Sequence, residues 1–302
     1  MKHFCTIITG DHLHKALALY DSLRQLDSDV HLHILSINTC PDFPQDSGLT
    51  LYRPEQFFDI ENAKIIAQKY SQYSDKYRWS LKPILLQYLL QQVDTKVIYL
   101  DTDTYFFGNF QFLFDLLDTH NTLLTPHHYS RNASKEQNWF EANFRVGLYN
   151  AGFVGVNRDA VSLMQWWASC CAYRCEKNPI RGTFDDQRYL DLLPVMDERV
   201  HILRHKGCNV ADWNRQEIPR SLQGEQVMLD NHYPLIFIHF NYTTIRAIVQ
   251  GREPLLKPHL DRYFQHLVQY KPYLKLESMY GEDKFTDKLK FRIWQIITDL
   301  GW

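Results

Sequence analysis

Short apolar runs alternate with stretches of helical spacing over the first half of the chain. The runs at residues 4–9 (FCTIIT), 30–37 (VHLHILSI) and 97–100 (VIYL) are rich in β-branched residues and predict three buried strands. Between the first two, apolar side chains recur at helical spacing over residues 13–20 and predict a helix. Strands that alternate with helices imply a mainly parallel sheet covered on both faces, so the predicted fold class is α/β.

Further helices and strands follow along the chain. Ser80 is expected to cap a helix that has Pro83 in its first turn and leads into the third strand. A strand is predicted around residues 153–156, followed by a helix capped by Asp159, and the last clear strand covers residues 235–240. The second half therefore continues the mixed α/β pattern.

The domain organisation follows from what the pattern lacks. There are no internal repeats and no Gly/Ser-rich linker, so residues 1–255 are predicted to form one catalytic domain and residues 256–302 a helical extension. Within that extension, residues 284–302 carry an apolar stripe flanked by regularly spaced basic side chains. Such a helix either docks on its own domain or rests peripherally on an anionic membrane surface, and the sequence leaves both open.

Composition excludes several functional classes. The 302 residues include 33 Lys+Arg and 35 Asp+Glu, a balance of −2 that lacks the basic field needed for non-specific nucleic-acid binding, so no nucleic-acid partner is expected. A hydrophobic content of 45% argues against disorder. No apolar run has membrane-spanning length, the N-terminal apolar stretch is too short for a signal peptide, and the six cysteines form no C-x-x-C pair. A cytoplasmic protein with reduced thiols is expected.

The most informative motif lies where the third strand ends. Asp101 and Asp103 follow the apolar run, and in extended chain they would point to one side while Thr102 points to the other. Two carboxylates at that spacing suit Mg²⁺ or Mn²⁺, and open α/β sheets bind ligands at the carboxyl ends of their strands. A second pair, Asp27 and Asp29, lies in a polar link between a helix and a strand and is expected to bind nothing.

Three later segments add polar side chains to this picture. Asn150 precedes two small residues and a strand, and Asp186 with Gln187 opens an apolar stretch. His239 ends the last apolar run as Asp101 ends the third, which makes it a candidate third metal ligand, although a histidine after a strand is more often structural.

Together these four segments resemble nucleotide-sugar glycosyltransferases of the GT-A fold, specifically family 8, which includes bacterial lipopolysaccharide galactosyltransferases. The family's YLD-x-D, NAG and DQ motifs and its final His stand here, in order, at residues 99–103, 150–152, 186–187 and 239. The resemblance covers residues 4–250 and implies a mixed, mainly parallel Rossmann-like sheet with helices on both faces.

The resemblance also implies ligand-binding roles. Asp101, Asp103 and His239 would hold Mn²⁺ or Mg²⁺ with the nucleotide diphosphate, and Thr9 and Asp11 match the turn that holds the base and ribose. Lys82 stands where the family has a basic residue near the donor, and Asn150 would contact the donor sugar. The donor-binding set is completed by Thr102, Ala151, Gly152 and Arg246.

The chain departs from the family at three positions. His14 stands where the family has a Tyr, and Arg188 replaces the second Asp of the DQD motif. The Gly and the Lys-Pro-Trp that follow the family's last His are absent, which leaves Arg246 as the candidate replacement for a phosphate-binding Lys.

The reaction chemistry suggests roles for residues 185–187, which are called the second acidic segment below. A leaving diphosphate needs a cation, and an oxocarbenium-like anomeric carbon needs nearby oxygen acceptors. The family retains the anomeric configuration, so Asp186 and Gln187 are candidates for the face opposite the leaving group. An inverting enzyme would need a carboxylate base, for which Asp185 or Asp186 is available, and the sequence leaves this choice open.

The predicted function is therefore metal-dependent transfer of a hexose from a nucleotide-diphospho-sugar, such as a UDP-hexose, to a saccharide or lipid-linked saccharide acceptor of a surface glycan. Residues 127–145 and 207–214 are candidate acceptor-covering segments, although a solvated loop and a Trp packed beneath a turn explain them as well. Two alternatives remain: a sugar-nucleotidyltransferase, which normally has a Gly-rich basic loop that is missing here, and a non-catalytic nucleotide- or glycan-binding module.

Overall fold

The computed structural model describes residues 1–40, 43–92, 96–134 and 136–280. In chain order, the strands described are β1 (Lys2–Ile8), β2 (Val30–Ser36), β3 (Leu49–Tyr52), β4 (Val97–Leu100), β5 (Thr104–Phe106), β6 (Thr122–Pro126), β7 (Tyr149–Val156), β8 (Val200–Ile202), β9 (Arg220–Gln223), β10 (Gln226–Leu229), β11 (Tyr233–Pro234) and β12 (Phe237–His239). The α-helices are α1 (Leu13–Leu26), α2 (Glu61–Tyr70), α3 (Ser74–Ser80), α4 (Lys82–Gln92), α5 (Gln111–Leu116), α6 (Gln137–Arg145), α7 (Val161–Tyr173), α8 (Leu193–Met196), α9 (Tyr242–Val249), α10 (Lys257–Tyr270) and α11 (Glu277–Tyr280).

Seven strands form the central sheet in the order β3-β2-β1-β4-β7-β6-β8. All its neighbours pair in parallel except β7, which runs antiparallel to both β4 and β6. The predicted α/β class with a mainly parallel sheet is confirmed. Two small antiparallel sheets, β9–β11 and β5–β12, are additional. Their strands have two to four residues each, too few to show a period of two in the sequence.

Both faces of the central sheet are covered. Along β1, Phe4 and Ile8 belong to an apolar cluster with α1 and α5, whereas Cys5 and Ile7 belong to the cluster with α4 and α7. Successive strand side chains point to opposite faces, so one strand contributes to two cores. The continuous apolar runs seen in the sequence are the consequence of this double burial.

Three expectations about element ends are wrong. Ser80 is the last residue of α3, and its hydroxyl donates to the Tyr77 carbonyl at 3.0 Å, so it does not cap α4. The residue that caps the start of the segment leading into α7 is Asn157, whose side chain accepts from the Asp159 amide at 2.9 Å. Of the strand predicted over residues 235–240, only β12 pairs as a strand. Helix α3 ends directly before α4, and a short 3-10 turn over Arg158–Ala160 precedes α7.

Helices α9 and α10 continue the packing beyond the sheet, and α10 lies against α1. The amphipathic segment at 284–302 lies outside the described residues. Among the helices that are described, none combines the length and the apolar character needed to cross a membrane. All six cysteines are free of disulfide bonds, and five of them are buried.

A row of histidines across β1 and β2 makes stability depend on pH. His33 is buried, and its ring nitrogens lie 3.0 Å from His3 Nδ1 and 3.1 Å from the Tyr52 hydroxyl. Burial, followed by the neighbouring His31 and His3, lowers the pKa of His33 to about 3. In the unfolded chain this pKa returns to about 6.5, so the unfolded state takes up the proton first as pH falls.

Lowering the pH should therefore reduce the free energy of unfolding, beginning near the unfolded pKa. Between about pH 6.5 and pH 5, His33 alone should account for a loss of about 2 kcal/mol. Urea unfolding at the two pH values, compared between the wild type and His33→Leu, measures this share. The variant should lose less stability on acidification, and an equal loss in both proteins would contradict the prediction.

Candidate active site

Three potential metal ligands converge at the carboxyl end of β4. One ligand atom each from Asp101, Asp103 and His239 lies within 4.8 Å of the others. Pairing of β5 with β12, in which Thr104 faces His239, brings the histidine to the two carboxylates. Among the described residues this is the only His/Cys/Asp/Glu cluster with such geometry. Asp29, of the second Asp-x-Asp pair, instead forms a surface ion pair with the N-terminal amine at 2.8 Å.

The two carboxylates are brought together by a turn. The amide of Thr104 donates to the Asp101 carbonyl at 3.1 Å, so Thr102 and Asp103 belong to a turn that reverses the chain into β5. The expectation of extended chain, with Thr102 facing away, is wrong, since Thr102 lines the same cavity as both carboxylates. The turn is needed because β5 must run back to meet β12.

His239 is held in place from three sides. Its Nε2 lies 3.1 Å from Asp103 Oδ1, its Nδ1 lies 3.4 Å from Asn209 Oδ1, and Trp213 packs edge-to-face at 5.2 Å between ring centroids. Asn209 adopts a left-handed backbone, with φ of 59°, a conformation uncommon outside glycine that is often found at functional sites.

Asp103 and His239 support each other's charged forms. Burial by itself would lower the pKa of His239, but the Asp103 carboxylate, with a smaller contribution from Asp101, outweighs burial and raises it. Burial by itself would raise the pKa of Asp103, and here His239, with smaller contributions from Lys15 and Arg78, lowers it well below its usual range. The pair therefore presents an ionised carboxylate beside an oriented imidazole.

Gly152 leaves the space that this cluster occupies. A Cβ at this position would lie 2.5 Å from Asn150 Oδ1, 2.7 Å from His239 Cε1 and 2.8 Å from Asp101 Oδ2. Gly152 also accepts the Asp101 amide at 2.9 Å and donates to Asn150 Oδ1 at 2.7 Å. Two hard carboxylate donors and one imidazole around such a space fit Mn²⁺ or Mg²⁺.

Substituting alanine for Gly152 should weaken Mn²⁺ binding by about tenfold or more, because displaced ligand positions cost affinity on that scale. The crowded side chains cannot all give way, since Asn150 Oδ1 accepts from the Gly152 amide and Asp101 Oδ1 accepts from the Tyr99 hydroxyl. Calorimetric titration of Mn²⁺ into each protein in the presence of UDP measures the change in metal affinity.

The matched control is Gly155→Ala on the same strand. A Cβ at Gly155 would lie 3.3 Å from Leu123 in the core and near none of the three metal ligands. This variant should bind Mn²⁺ as the wild type does, and equal affinity of both alanine variants would contradict the crowding argument.

Lys82 connects the metal cluster to the second acidic segment. It is the first residue of α4, is almost fully buried, and its Nζ lies 3.2 Å from Asp101 Oδ1 and 3.3 Å from Asp186 Oδ2. It also donates to the Ala151 carbonyl at 3.1 Å. Burial lowers the pKa of Lys82, but the two carboxylates outweigh burial and raise it overall, so the ammonium stays charged.

Asp186 lies beside this lysine and Gln187 lies beside Ala151, whereas Asp185 pairs with a different lysine. Burial raises the pKa of Asp186 to about 6, with Lys82 opposing the rise. Gln187 accepts from the Ala151 amide at 3.2 Å and donates to a carbonyl at 3.1 Å, which fixes its amide beside the NAG segment. Asp185, with φ of 49°, instead lies 3.5 Å from Lys177 and lines a separate cavity.

A cavity of about 370 Å³ opens beside Asp101 and Asp103. Two cations line it, Lys15 from α1 and Arg78 from α3, and neither was identified from the sequence. Each lies on an amphipathic helix, where a charged residue ordinarily marks the solvent face. The only available signal was the position of Lys15 in the first turn of the helix after β1. Aromatic or imidazole side chains in the lining are His12, Trp79, Phe240 and Tyr242.

The remaining sequence-predicted residues lie at different distances from this cavity. Asn150 is buried, with its amide nitrogen 3.1 Å from His127 Nε2. Thr9 contacts His12, a lining residue, at 2.9 Å between Oγ1 and Nδ1. Asp11 is exposed and lines a neighbouring pocket. Arg246 does not line the cavity and donates to the Tyr280 carbonyl at 3.0 Å. The structure therefore does not bring Asp11 or Arg246 to the metal cluster.

Comparison with known proteins places this geometry in a family. The model of "Glycosyl transferase family 8" matches residues 5–244. "Uncharacterized protein YfnF" of Bacillus subtilis (strain 168) is 27% identical over 272 residues, covering 87% of this chain and 88% of its own. Mouse xyloside xylosyltransferase 1, in its apo form, superposes with a TM-score of 0.48 at 16% identity, over 80% of this chain and 98% of its own. The galactosyltransferase LgtC, in complex with donor and acceptor sugar analogues, superposes with a TM-score of 0.48 at 13% identity, over 79% of this chain and 86% of its own.

The family match covers well over half of the chain, and all four motifs found in the sequence lie within the matched residues. With the mainly parallel α/β sheet, it confirms the resemblance to the GT-A glycosyltransferases inferred from those motifs. The chain belongs to glycosyltransferase family 8.

Proposed function

We propose that this glycosyltransferase moves a hexose from a UDP-hexose to a glycan acceptor and requires Mn²⁺ or Mg²⁺. The observation that carries the proposal is the cluster of Asp101, Asp103 and His239, whose two carboxylates line a cavity. Lys15 and Arg78 line the same cavity. A divalent cation and two fixed cations at one cavity provide the positive charge that a nucleoside diphosphate requires.

The metal, when bound, supplies Lewis-acid stabilisation of the charge that develops on the leaving diphosphate. Lys15 and Arg78, which line the same cavity as the two carboxylates, bind and orient the phosphate oxygens. Lys82 orients Asp101 toward the cluster, and the Tyr99 hydroxyl, which donates to Asp101 Oδ1 at 2.8 Å, helps to fix it.

We place the donor hexose between the NAG segment and the second acidic segment, with retention of its anomeric configuration. Asp186 and Gln187 support this assignment because Lys82 and Ala151 tie both to the metal cluster. Asp186 and Gln187 would face the anomeric carbon and stabilise its positive charge. Asp185 is the weaker candidate for a base, because it faces Lys177.

The other donor contacts are proposed from the family motifs. Asn150 contacts the hexose, and the turn with Thr9 and Asp11 lies nearest to the base and ribose. Further donor contacts are proposed for Thr102, Ala151, Gly152 and Arg246. Residues 1–255 are proposed as the catalytic unit, and 256–302 as a helical extension that assists access to a saccharide or lipid-linked acceptor of a surface polysaccharide such as lipopolysaccharide.

Calorimetry with UDP in the presence and absence of Mn²⁺ tests the proposal. Binding should require the metal, and metal-independent or absent UDP binding would overturn it. Slow hydrolysis of a panel of UDP-hexoses then identifies the donor without the acceptor. UDP is the expected product. If the protein instead released pyrophosphate when given a nucleoside triphosphate and a sugar phosphate, the nucleotidyltransferase alternative would be favoured.

A further inference from the structure

A second cavity, of about 440 Å³, lies at the same edge of the sheet as the metal cluster. Pro126 and Ile202, which end β6 and β8, line it together with Tyr149, which begins the antiparallel β7. The carboxyl edge of an open α/β sheet is where ligands bind. This cavity shares no lining residue with the cavity beside Asp101 and Asp103, so it is available to a ligand other than the donor.

The cavity adjoins the residues proposed to hold the donor hexose. Tyr149 directly precedes Asn150, and His128 directly follows His127, whose Nε2 lies 3.1 Å from the Asn150 amide nitrogen. His128 has a φ of 53°, and such left-handed backbone outside glycine tends to persist at ligand sites. A ligand in this cavity would therefore lie next to the reacting sugar.

Positive charge predominates in the lining. Arg131, Arg204 and Lys206 face one carboxylate, Glu217. Glu217 pairs with Arg131, and Lys206 pairs with Asp230 at the side. In the described part of the chain, no carboxylate lies within ion-pair distance of the exposed Arg204.

Neighbouring groups respond to this charge. Burial, followed by Lys206, lowers the pKa of His128 to about 4, so its ring is neutral and adds no further charge at pH 7. Three tyrosines also line the cavity, and their rings offer flat apolar faces against which a pyranose can pack, while their hydroxyls can hydrogen-bond. These tyrosines are Tyr129, Tyr149 and Tyr233.

We propose that this cavity binds the acceptor and selects a saccharide that carries a negative charge, a phosphate or a carboxylate, which Arg204 recognises with support from Lys206. This inference rests on the proposed function, because it gives the acceptor of that transfer its chemical class. The tyrosine rings hold the sugar, and its nucleophilic hydroxyl is directed toward Asn150.

Three matched probes test the charge preference: methyl α-D-glucoside, its 6-phosphate, and methyl α-D-glucuronide. Binding to the 302-residue protein is measured by saturation-transfer NMR with Mg²⁺ and UDP present. The anionic probes should bind about tenfold or more tightly than the neutral one, the scale of a charge-assisted hydrogen bond. A preference for the phosphate or for the carboxylate probe then identifies which source supplies the charge. Equal binding of all three probes, or binding of none, would overturn the proposal.

Variants assign the preference to this cavity. Arg204→Gln should lose about tenfold in affinity for the preferred anionic probe and leave the neutral probe unchanged. Lys64→Gln removes an exposed positive charge from α2, outside this cavity, and should change neither. Full anion preference in Arg204→Gln would also refute the assignment.

The outcome is separable from that of the proposed function. Arg204 is exposed and lies outside the metal cluster, so metal-dependent UDP binding should be the same in Arg204→Gln and the wild type. Normal UDP binding with no anion preference would overturn the acceptor assignment alone. If the wild type showed no metal-dependent UDP binding, the donor assignment would be overturned.

Discussion

Asp103→Asn should abolish Mn²⁺-dependent binding of UDP and reduce UDP-hexose hydrolysis by roughly 100-fold or more, the scale on which loss of electrostatic stabilisation slows a reaction. The substitution removes one of two carboxylate charges while keeping the side-chain shape. It also removes the charge that raises the pKa of His239, so the imidazole loses its ionic partner. Calorimetry and a UDP-release assay measure the two effects.

The second Asp-x-Asp pair offers a matched control. Asp29→Asn makes the same chemical change at an exposed site, where Asp29 forms a surface ion pair with the N-terminal amine, so metal binding and hydrolysis should stay at the wild-type level. Circular dichroism should show that both variants are folded. Metal-dependent UDP binding that persists in Asp103→Asn would remove this residue from the metal site.

Lys82→Met should destabilise the fold by about 3 kcal/mol and abolish activity, because removal of one partner leaves buried carboxylates uncompensated. Asp186 is the more deeply buried of the two and would carry most of this cost. Urea unfolding at pH 8 measures the loss. Adding Asp186→Asn should restore part of the stability, because the most deeply buried carboxylate then no longer carries a charge without a partner. The activity should stay lost in this double variant.

The destabilisation of Lys82→Met should also depend on pH. The pKa of Asp186 already stands at about 6 in the folded wild type, above its unfolded value, and without Lys82 it should rise further. A raised carboxyl pKa means that stability is greatest at low pH and falls as pH increases through the folded value. The variant should therefore be less destabilised at pH 5 than at pH 8. Lys64→Met, at an exposed site on α2, should change stability at neither pH.

Prediction from the sequence succeeded where a local pattern carries the physics. The buried strands β1, β2 and β4 were recognisable because both of their faces are apolar, and the carboxylates after β4 were distinguished from Asp27 and Asp29 by that apolar approach. The four ordered motifs led to the correct family. The caps of α4 and α7 were misassigned because Ser80 ends the preceding helix α3 and Asp159 lies in a short 3-10 turn that Asn157 caps.

The sequence by itself therefore determined the α/β class, the family and the strand end at which two carboxylates stand, since hydrophobic periodicity and short motifs are local properties. Only the tertiary structure decided that a turn carries Asp103 to His239 and that Lys82 joins Asp101 to Asp186. It also decided that Lys15 and Arg78, from helices whose sequence shows only solvated charge, line the cavity beside the carboxylates. Each of these depends on contacts between residues far apart in the chain. Long-range pairing, such as that of β5 with β12, follows from the summed packing of the whole core and leaves no signal in either segment alone.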